Sequence, residues 1–212
     1  MNSKVRDRTK KELLIRKKEF LIICNVLDEI KIKYFLNTGI LLGAIRNKDF
    51  IKWDWDVEIS VFSNDFLKKM NLISMKLQNK GFELIKINKN LNSLKLDFKG
   101  SCPKSVTKYT IFSWNYSPYK NVYWRQDKTI PSKYLKKLSK IKFLGKTFNV
   151  PNNPKSYLKF AYNNWRTPLR TADKNTYINK NFKQKFLYKD LIFEKIYLKI
   201  RHLSNKIRFF LN

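Results

Sequence analysis

The chain has 212 residues, which is enough for one domain or for one domain with an appendage. A hydrophobic fraction of 43% and an aromatic fraction of 15% predict a packed core and exclude an intrinsically disordered chain. Lys and Arg number 46 against 16 Asp and Glu, a formal net charge of +30. We therefore expect attraction to anions, which include nucleotides, phosphorylated sugars, anionic lipids and nucleic acid.

Cysteine content and hydropathy bear on the cellular compartment. Cys24 and Cys102 are too few for a disulfide framework and predict reduced thiols. The apolar run 20–24 is far shorter than the roughly 18 to 20 residues that span a bilayer, and the basic N-terminal segment lacks the apolar core of a signal peptide. We expect a cytoplasmic protein, either soluble or peripheral at the inner face of the cell membrane.

Hydrophobic periodicity and capping residues predict an α+β fold with a small mixed sheet flanked by helices. Thr9 and Glu12 form a capping box in front of the first helix. Alternating polar and apolar residues predict a strand over 53–62. The other predicted elements are, in chain order, helix 10–31, strand 34–36, a short helix or turn over 41–46, helix 64–80, strands 82–87 and 93–98, strands 109–116 and 121–125, hairpin 141–150, helix 154–163 and helix 182–210.

Several common catalytic schemes lack the residues that they need. His202 is the only histidine, so Ser-His-Asp, Cys-His and histidine-based zinc sites are excluded. The five glycines form no Gly-x-Gly-x-x-Gly pattern, and the segment 145–147 lacks the earlier glycine of a P-loop. Nucleotide chemistry in this chain must therefore rely on carboxylates and a metal ion.

Three acids alternate along the predicted strand 53–62. Asp54, Asp56 and Glu58 would project from one face within about 13 Å of strand, where they repel one another. Mg²⁺ would relieve this repulsion, because it prefers oxygen ligands and bridges to phosphates. Asp97, on a second short alternating strand, could complete such a site from a neighbouring strand. The alternative interpretation is that each of these acids simply lies on a solvent-exposed strand face and binds no metal ion.

Two stretches resemble the LicD/fukutin family. Residues 36–46, Leu-Asn-Thr-Gly-Ile-Leu-Leu-Gly-Ala-Ile-Arg, are similar to the family's Gly-Gly-Ser/Thr-Leu-Leu-Gly-x-x-Arg segment. Residues 50–59, which contain Trp-Asp-Trp-Asp-Val-Glu, resemble its Ile-Pro-Trp-Asp-x-Asp-x-Asp pattern. The segments 95–97, 143–151 and 157–168 resemble its third acidic strand and closing segment, so that the resemblance runs in order over about 34–168. Ile40, Lys52 and Glu58 depart from the family pattern.

The resemblance implies a nucleotidyltransferase-like catalytic domain over 1–180. It also implies a phosphotransferase that moves a phospho-alcohol, such as phosphocholine or a polyol phosphate, from a CDP-linked donor to a glycan or lipid-linked glycan acceptor. The implied cofactor is Mg²⁺ or Mn²⁺. The implied metal-binding and catalytic residues are Asp54, Asp56, Glu58 and Asp97, with Asp97 as the first choice of general base. The implied donor-phosphate ligands are Thr38, Gly39, Gly43 and Arg46.

Two other functions are compatible with the same sequence features. A nucleotidyltransferase that adds a nucleoside monophosphate to a small molecule or protein would need the same acids. A nucleic-acid-binding protein would use the basic charge and the aromatic residues interleaved over 109–124. The chain contains no recognised nucleic-acid-binding motif, so nucleic acid is the least favoured partner.

The segment 181–212 is predicted to form a basic amphipathic helix. It contains eight Lys or Arg and two acids, and its apolar residues fall at helical spacing. The members of this apolar stripe are Phe186, Phe193, Ile196, Ile200, Leu203, Ile207 and Phe210. We expect the stripe to pack on the catalytic domain or on a second subunit, while the basic face attracts the protein to an anionic membrane.

Overall fold

The computed structural model describes residues 6–125, 127–171 and 173–211. The helices are α1 (Lys10–Glu29), α2 (Thr38–Arg46), α3 (Ser63–Gln78), α4 (Pro154–Ala161), α5 (Lys174–Tyr177) and α6 (Tyr188–Leu211). The strands are β1 (Tyr34–Leu36), β2 (Asp56–Phe62), β3 (Glu83–Asn88), β4 (Lys95–Lys99), β5 (Lys108–Ser117), β6 (Val122–Arg125), β7 (Lys128–Pro131), β8 (Ser139–Phe143) and β9 (Lys146–Val150).

The central sheet has the strand order β1-β2-β5-β4-β3. Strands β2 and β5 are parallel, and the other neighbouring pairs are antiparallel. The end of β5 continues into a second antiparallel arrangement with β6 and β7, while β8 and β9 form a separate hairpin. The predicted α+β class, with a mixed sheet flanked by helices, is confirmed.

Helix α1 fixes one side of this sheet. The hydroxyl of Thr9 accepts from the N–H of Glu12, whose carboxylate accepts from the N–H of Thr9, so the predicted capping box is present. The buried face of α1 brings Phe20 edge-to-face against Phe50, in a cluster that also includes Phe148. This apolar packing attaches the first helix to the segment just before the acidic strand.

Strand β2 is shorter than predicted. It begins at Asp56, because the N–H of Asp54 donates to the carbonyl of Ile51 at 3.1 Å and closes a turn over 51–54. Asp54 therefore precedes the strand, and the expectation of three acids on one strand is wrong for this residue. The short strand β7 was not predicted at all.

The C-terminal helix also differs from its prediction. Helix α6 begins at Tyr188, six residues later than expected, since Phe182 and Phe186 pack as single side chains on Trp114 and Trp124. The expected packing of the apolar stripe on the domain is found at Phe186 and at Phe193, whose ring stacks on Tyr119 although the side chain is half exposed. Ile207 and Phe210 lie outside the described side chains. Within the described ranges, no helix combines the length and the apolar character that a membrane span requires.

Candidate active site

Asp56 and Glu58 project from the same face of β2. Both are partly exposed, while Val57 and Ile59 on the opposite face are buried in the core. Glu58 is level with Thr110 on β5, and Thr110 is level with Asp97 on β4. Because residues that are level on adjacent strands share a sheet face, these three side chains form a row across the sheet.

Asp97 is buried within a polar network of its own. Its Oδ1 accepts from the hydroxyl of Thr110 at 2.7 Å, and its Oδ2 lies 2.9 Å from Nζ of Lys95 and 3.3 Å from Nζ of Lys108. Burial favours the neutral carboxyl, but these three donors outweigh burial and hold the pKa of Asp97 below its usual range. Asp97 is thus a charged, paired carboxylate.

Asp54 is held in place by its backbone. Its carbonyl accepts from Nη2 of Arg16 at 2.7 Å and from Nε of Arg8 at 3.3 Å. Burial raises the pKa of the Asp54 carboxyl; Arg16 opposes this shift, and the charge of Glu58 adds to it. The loop therefore keeps a third carboxyl group close to the strand acids, at an electrostatic cost that a bound cation would reduce.

Gly39 and Asp54 are in close contact. A Cβ atom added to Gly39 would lie 2.5 Å from Oδ2 of Asp54, so any side chain at this position would force the carboxylate to move. The carboxylate thus occupies the space that the missing side chain leaves. This contact gives Gly39 a structural role at the site that is separate from the predicted approach of donor phosphates.

Thr38 joins the start of α2 to the acidic strand. Its hydroxyl donates to Oε2 of Glu58 at 3.1 Å, and its φ of +48° lies in the left-handed region, which is rare for a β-branched residue. The buried side chain of Asn37 accepts from the N–H of Thr38 and from the hydroxyl of Tyr157. These hydrogen bonds stabilise a strained backbone conformation of the kind that clusters at functional sites.

Arg125 is a site residue that the sequence analysis missed. Its guanidinium lies 3.4 Å from the ring centroid of Phe112, and its Nη2 lies 3.7 Å from Oε2 of Glu58. The Nε atom is buried and has no hydrogen-bond partner among the described residues. Burial lowers the pKa of Arg125 below its usual value, and the negative charge of Glu58 offsets only part of this shift. The sequence gives no local signal for this role, because the strand pattern around 122–125 does not indicate which face contacts β2.

Asp56 and Glu58 lie between two lobes of one groove. The basic lobe, about 630 Å³, is lined by five cationic side chains and three acids, among which are both strand acids. Its cationic residues are Lys95, Lys108, Arg125, Lys128 and Lys185. The aromatic lobe, about 680 Å³, has six aromatic residues in its lining, together with aliphatic and polar ones. Its aromatic residues are Trp53, Trp55, Tyr162, Trp165, Tyr177 and Phe182.

The predicted phosphate ligands divide between two locations. Thr38, Gly39 and Arg46 line the aromatic lobe. Nη1 of Arg46 donates to the carbonyl of Trp165 at 3.3 Å, and burial lowers the pKa of the arginine. Gly43 is not among the described lining residues of either lobe. A Cβ there would lie 2.5 Å from the carbonyl oxygen of Asp49, so Gly43 allows close packing of α2 on the segment that leads to the acids.

The acids fit a metal ion only in part. Nowhere in 6–125, 127–171 and 173–211 do three or more His, Cys, Asp or Glu side chains form a group that could hold a metal ion. Lys95 and Lys108 hold Asp97 in its own network, so the structure does not assemble the predicted four-acid cluster. Asp56 and Glu58 do present oxygen ligands on one face of the strand. The carboxyl of Asp54, whose pKa is raised by burial, lies nearby. This donor set suits a hard divalent cation, and its metal-binding role stays a prediction.

Comparison with known proteins identifies the family. A family model described as LicD/FKTN/FKRP, nucleotidyltransferase domain, matches residues 31–153, more than half of the chain. The chain belongs to this family. The match includes Thr38, Asp54, Asp56, Glu58 and Arg125 and ends before α4, so the predicted family resemblance is confirmed.

Two curated relatives in the LicD/FKTN/FKRP family are larger proteins. Human ribitol 5-phosphate transferase FKRP is 25% identical over 146 residues, which cover 66% of this chain and 29% of FKRP. The Haemophilus influenzae lipopolysaccharide cholinephosphotransferase LicD is 36% identical over 63 residues, which cover 26% of this chain and 23% of LicD. The chain thus spans less than a third of the length of the relatives it matches.

A solved structure supports the fold. The solution structure of the antibiotic-resistance factor ANT(2'')-Ia aligns with 94% of this chain and 100% of its own, with a TM-score of 0.50 and 7% sequence identity. At this identity the likeness concerns the fold alone. It agrees with the nucleotidyltransferase domain that the family description names.

Proposed function

We propose that this chain is a metal-dependent phosphotransferase that moves a phospho-alcohol group from a CDP-linked donor to a glycan acceptor. The observation that carries the proposal is the position of Asp56 and Glu58 between a basic lobe and an aromatic lobe, with Arg125 beside Glu58. The names of the relatives support the reaction class, since one is a ribitol 5-phosphate transferase and the other a cholinephosphotransferase of lipopolysaccharide.

Mg²⁺ or Mn²⁺ is the proposed cofactor. Asp56 and Glu58 would hold the ion, with Asp54 beside them. When bound, the ion would neutralise charge on phosphate oxygens. The hydrogen bond from Thr38 fixes the side chain of Glu58 before any ligand arrives, and such pre-organisation lowers the cost of reaching the productive geometry.

The basic lobe is suited to bind phosphate groups. Its five cationic residues exceed its three acids, so phosphates that lie next to the strand acids would meet a net positive surface. Arg125 combines a fixed planar guanidinium with a buried N–H group that can donate to a ligand. We therefore assign charge stabilisation during transfer to Arg125, with Lys128 and Lys185 as further phosphate contacts.

The aromatic lobe is suited to a flat or apolar part of a substrate. Trp53 and Trp165 offer ring faces for a nucleobase or for the C–H face of a sugar, while Arg46 and Thr38 supply polar contacts at its edge. We expect these rings to restrict the access of water to a bound donor, which would limit its hydrolysis.

Asp97 remains the candidate general base for the acceptor hydroxyl. It shares the sheet face of Glu58, one strand beyond Thr110. Because Lys95 and Lys108 lower the pKa of Asp97, it is a weak base in this arrangement. The proposal therefore requires one of the two lysines to move to substrate phosphate when the substrate binds.

The decisive experiment measures release of CMP. The protein is incubated with Mg²⁺ or Mn²⁺ and a panel of CDP-alcohols that includes CDP-choline and CDP-ribitol, with and without glycan acceptors. We expect acceptor-stimulated CMP release that excess chelator abolishes and that Asp56→Asn lacks. A product that retains the nucleotide would instead indicate nucleoside monophosphate transfer. Undiminished release in chelator would overturn the metal-dependent proposal.

A further inference from the structure

The first turns of α6 are attached to the domain by its only two acids. Asp190 is buried, accepts from the N–H of Leu187 at 2.7 Å and lies 2.7 Å from Nζ of Lys120. Glu194 accepts from the hydroxyl of Ser117. These contacts hold the start of the helix on the turn between β5 and β6, and they use both carboxylates of the segment.

Beyond a ring contact between Tyr197 and Tyr119, the helix leaves the domain. Every described residue from 195 to 204 is exposed, and five of these residues have large hydrophobic side chains, among them Tyr197 and Leu198. Ile196, Ile200 and Leu203 are 48%, 58% and 59% exposed. Their spacing of four and three residues places them on one side of a helix, and we call this set the α6 face. A helical end with so few tertiary contacts is only marginally stable in water, so a surface that covers the α6 face would stabilise it.

The charge around this face is entirely positive. From residue 195 onward the sequence contains five Lys or Arg and no acid. A helix turns about 100° per residue, which places Lys195 and Lys199 along one border of the α6 face. Apolar residues bordered by lysines are typical of a helix that lies in the headgroup layer of an anionic bilayer.

Other occupants fit the same face less well. A second copy of the chain would bring an identical row of lysines, and the net charge of +30 on each copy opposes close association. Nucleic acid would match the charge but would leave the α6 face in water. A surface that offers both negative charge and an apolar layer matches both observations.

We propose that α6 docks on an anionic lipid surface, with the α6 face inserted among the acyl chains and Lys195 and Lys199 at the lipid phosphates. The proposal is independent of the transferase reaction. It would place the groove next to a membrane, because Phe186, just before α6, stacks on Trp124 at 4.3 Å and both rings line the basic lobe.

The test is flotation with two kinds of vesicle, phosphatidylcholine alone and phosphatidylcholine mixed with phosphatidylglycerol. We expect the full chain to float with the mixed vesicles only. Removing three basic charges in Lys195→Gln, Lys199→Gln, Arg201→Gln should lower the partition coefficient on the order of a hundredfold, from roughly 1 kcal/mol per basic residue. Replacing the α6 face by serine in Ile196→Ser, Ile200→Ser, Leu203→Ser should abolish flotation while the charge is unchanged.

A matched control separates this site from general attraction. Lys11→Gln, Lys17→Gln, Lys18→Gln removes the same charge from exposed positions of α1 and should leave flotation nearly unchanged. An equal loss of flotation in the two triple glutamine variants, or flotation that survives the serine variant, would overturn the proposal. A chain that ends at Tyr197 retains the contacts of Asp190 and Glu194. A cooperative thermal unfolding transition would show that this shortened chain is folded. Undiminished flotation of the folded, shortened chain would also contradict docking through α6.

Discussion

The hydroxyl of Thr38 donates to Oε2 of Glu58 at 3.1 Å, and so connects the first residue of a helix to an acid of the neighbouring strand. Thr38 makes this contact with a left-handed backbone at φ +48°. The strain is balanced by Asn37, whose buried side chain receives the N–H of Thr38 at 2.8 Å. The acid that we assign to the metal is therefore oriented by protein contacts before any ligand binds.

Neutralising either strand acid should abolish transfer. Asp56→Asn and Glu58→Gln preserve shape but remove charge, and we expect CMP release to fall by roughly 10²-fold or more. Glu83→Gln, which alters an exposed pair on β3, is the matched control. Full activity in both variants would rule out the acid pair as the catalytic centre.

Gly39→Ala should damage the site with little effect on folding. The new Cβ would lie 2.5 Å from Oδ2 of Asp54, so the carboxylate must move, and a displacement of about 1 Å can cost 10²-fold in rate. We expect loss of CMP release and of any rise in unfolding temperature caused by Mg²⁺.

Gly145→Ala is the control for the Gly39→Ala variant. Gly145 has a φ of +80° with open space around it, so the substitution should destabilise the fold by about 1 kcal/mol but leave Mg²⁺ and donor binding intact. A Gly39→Ala variant with normal metal response would show that the contact with Asp54 is not needed.

Arg125→Lys tests the residue that the sequence did not reveal. Lysine keeps the charge but loses the planar group that lies 3.4 Å from the Phe112 ring centroid, so it cannot hold the same position beside Glu58. We expect CMP release to fall about 10- to 100-fold and the affinity for CDP, measured by calorimetry, to weaken. Arg201→Lys, at an exposed position of α6 outside the lining of both lobes, should change neither quantity. Unchanged activity in Arg125→Lys would remove this residue from the mechanism.

Asp190→Asn should loosen the start of α6 in a pH-dependent way. Burial favours the neutral carboxyl, but Lys120 and the N–H of Leu187 outweigh it and hold the pKa of Asp190 below its usual 3.8. A lowered pKa in the folded state contributes stability above 3.8, and this contribution is lost as the pH falls through the folded-state pKa.

We therefore expect Asp190→Asn to cost about 1 kcal/mol at neutral pH, because the pair with Lys120 is partly exposed, and less as the solution is acidified. Thermal unfolding across this pH range measures the difference. Asp173→Asn, at an exposed acid that also accepts a backbone N–H, is the control. A stability difference that persists unchanged at acid pH would contradict the assignment to the carboxylate charge.

Local pattern in the sequence determined the acidic strand and the family. Alternation along β2 placed Asp56 and Glu58 on one face, because side chains on a strand alternate at every residue. The capping box of α1 and the hairpin of β8 and β9 were likewise predictable, since both depend on a few adjacent residues.

Only the tertiary structure decided which distant groups surround these acids. Arg125 comes from a strand far along the chain and reaches Glu58 through the pairing of β6 with β5, a relation that no local period encodes. In the same way, the turn over 51–54 removes Asp54 from the strand, and the register of β4 and β5 surrounds Asp97 with Lys95 and Lys108. The physical reason is that strand register and side-chain burial are set by contacts between segments that fold together, whereas periodicity reports only which face of its own element a residue occupies.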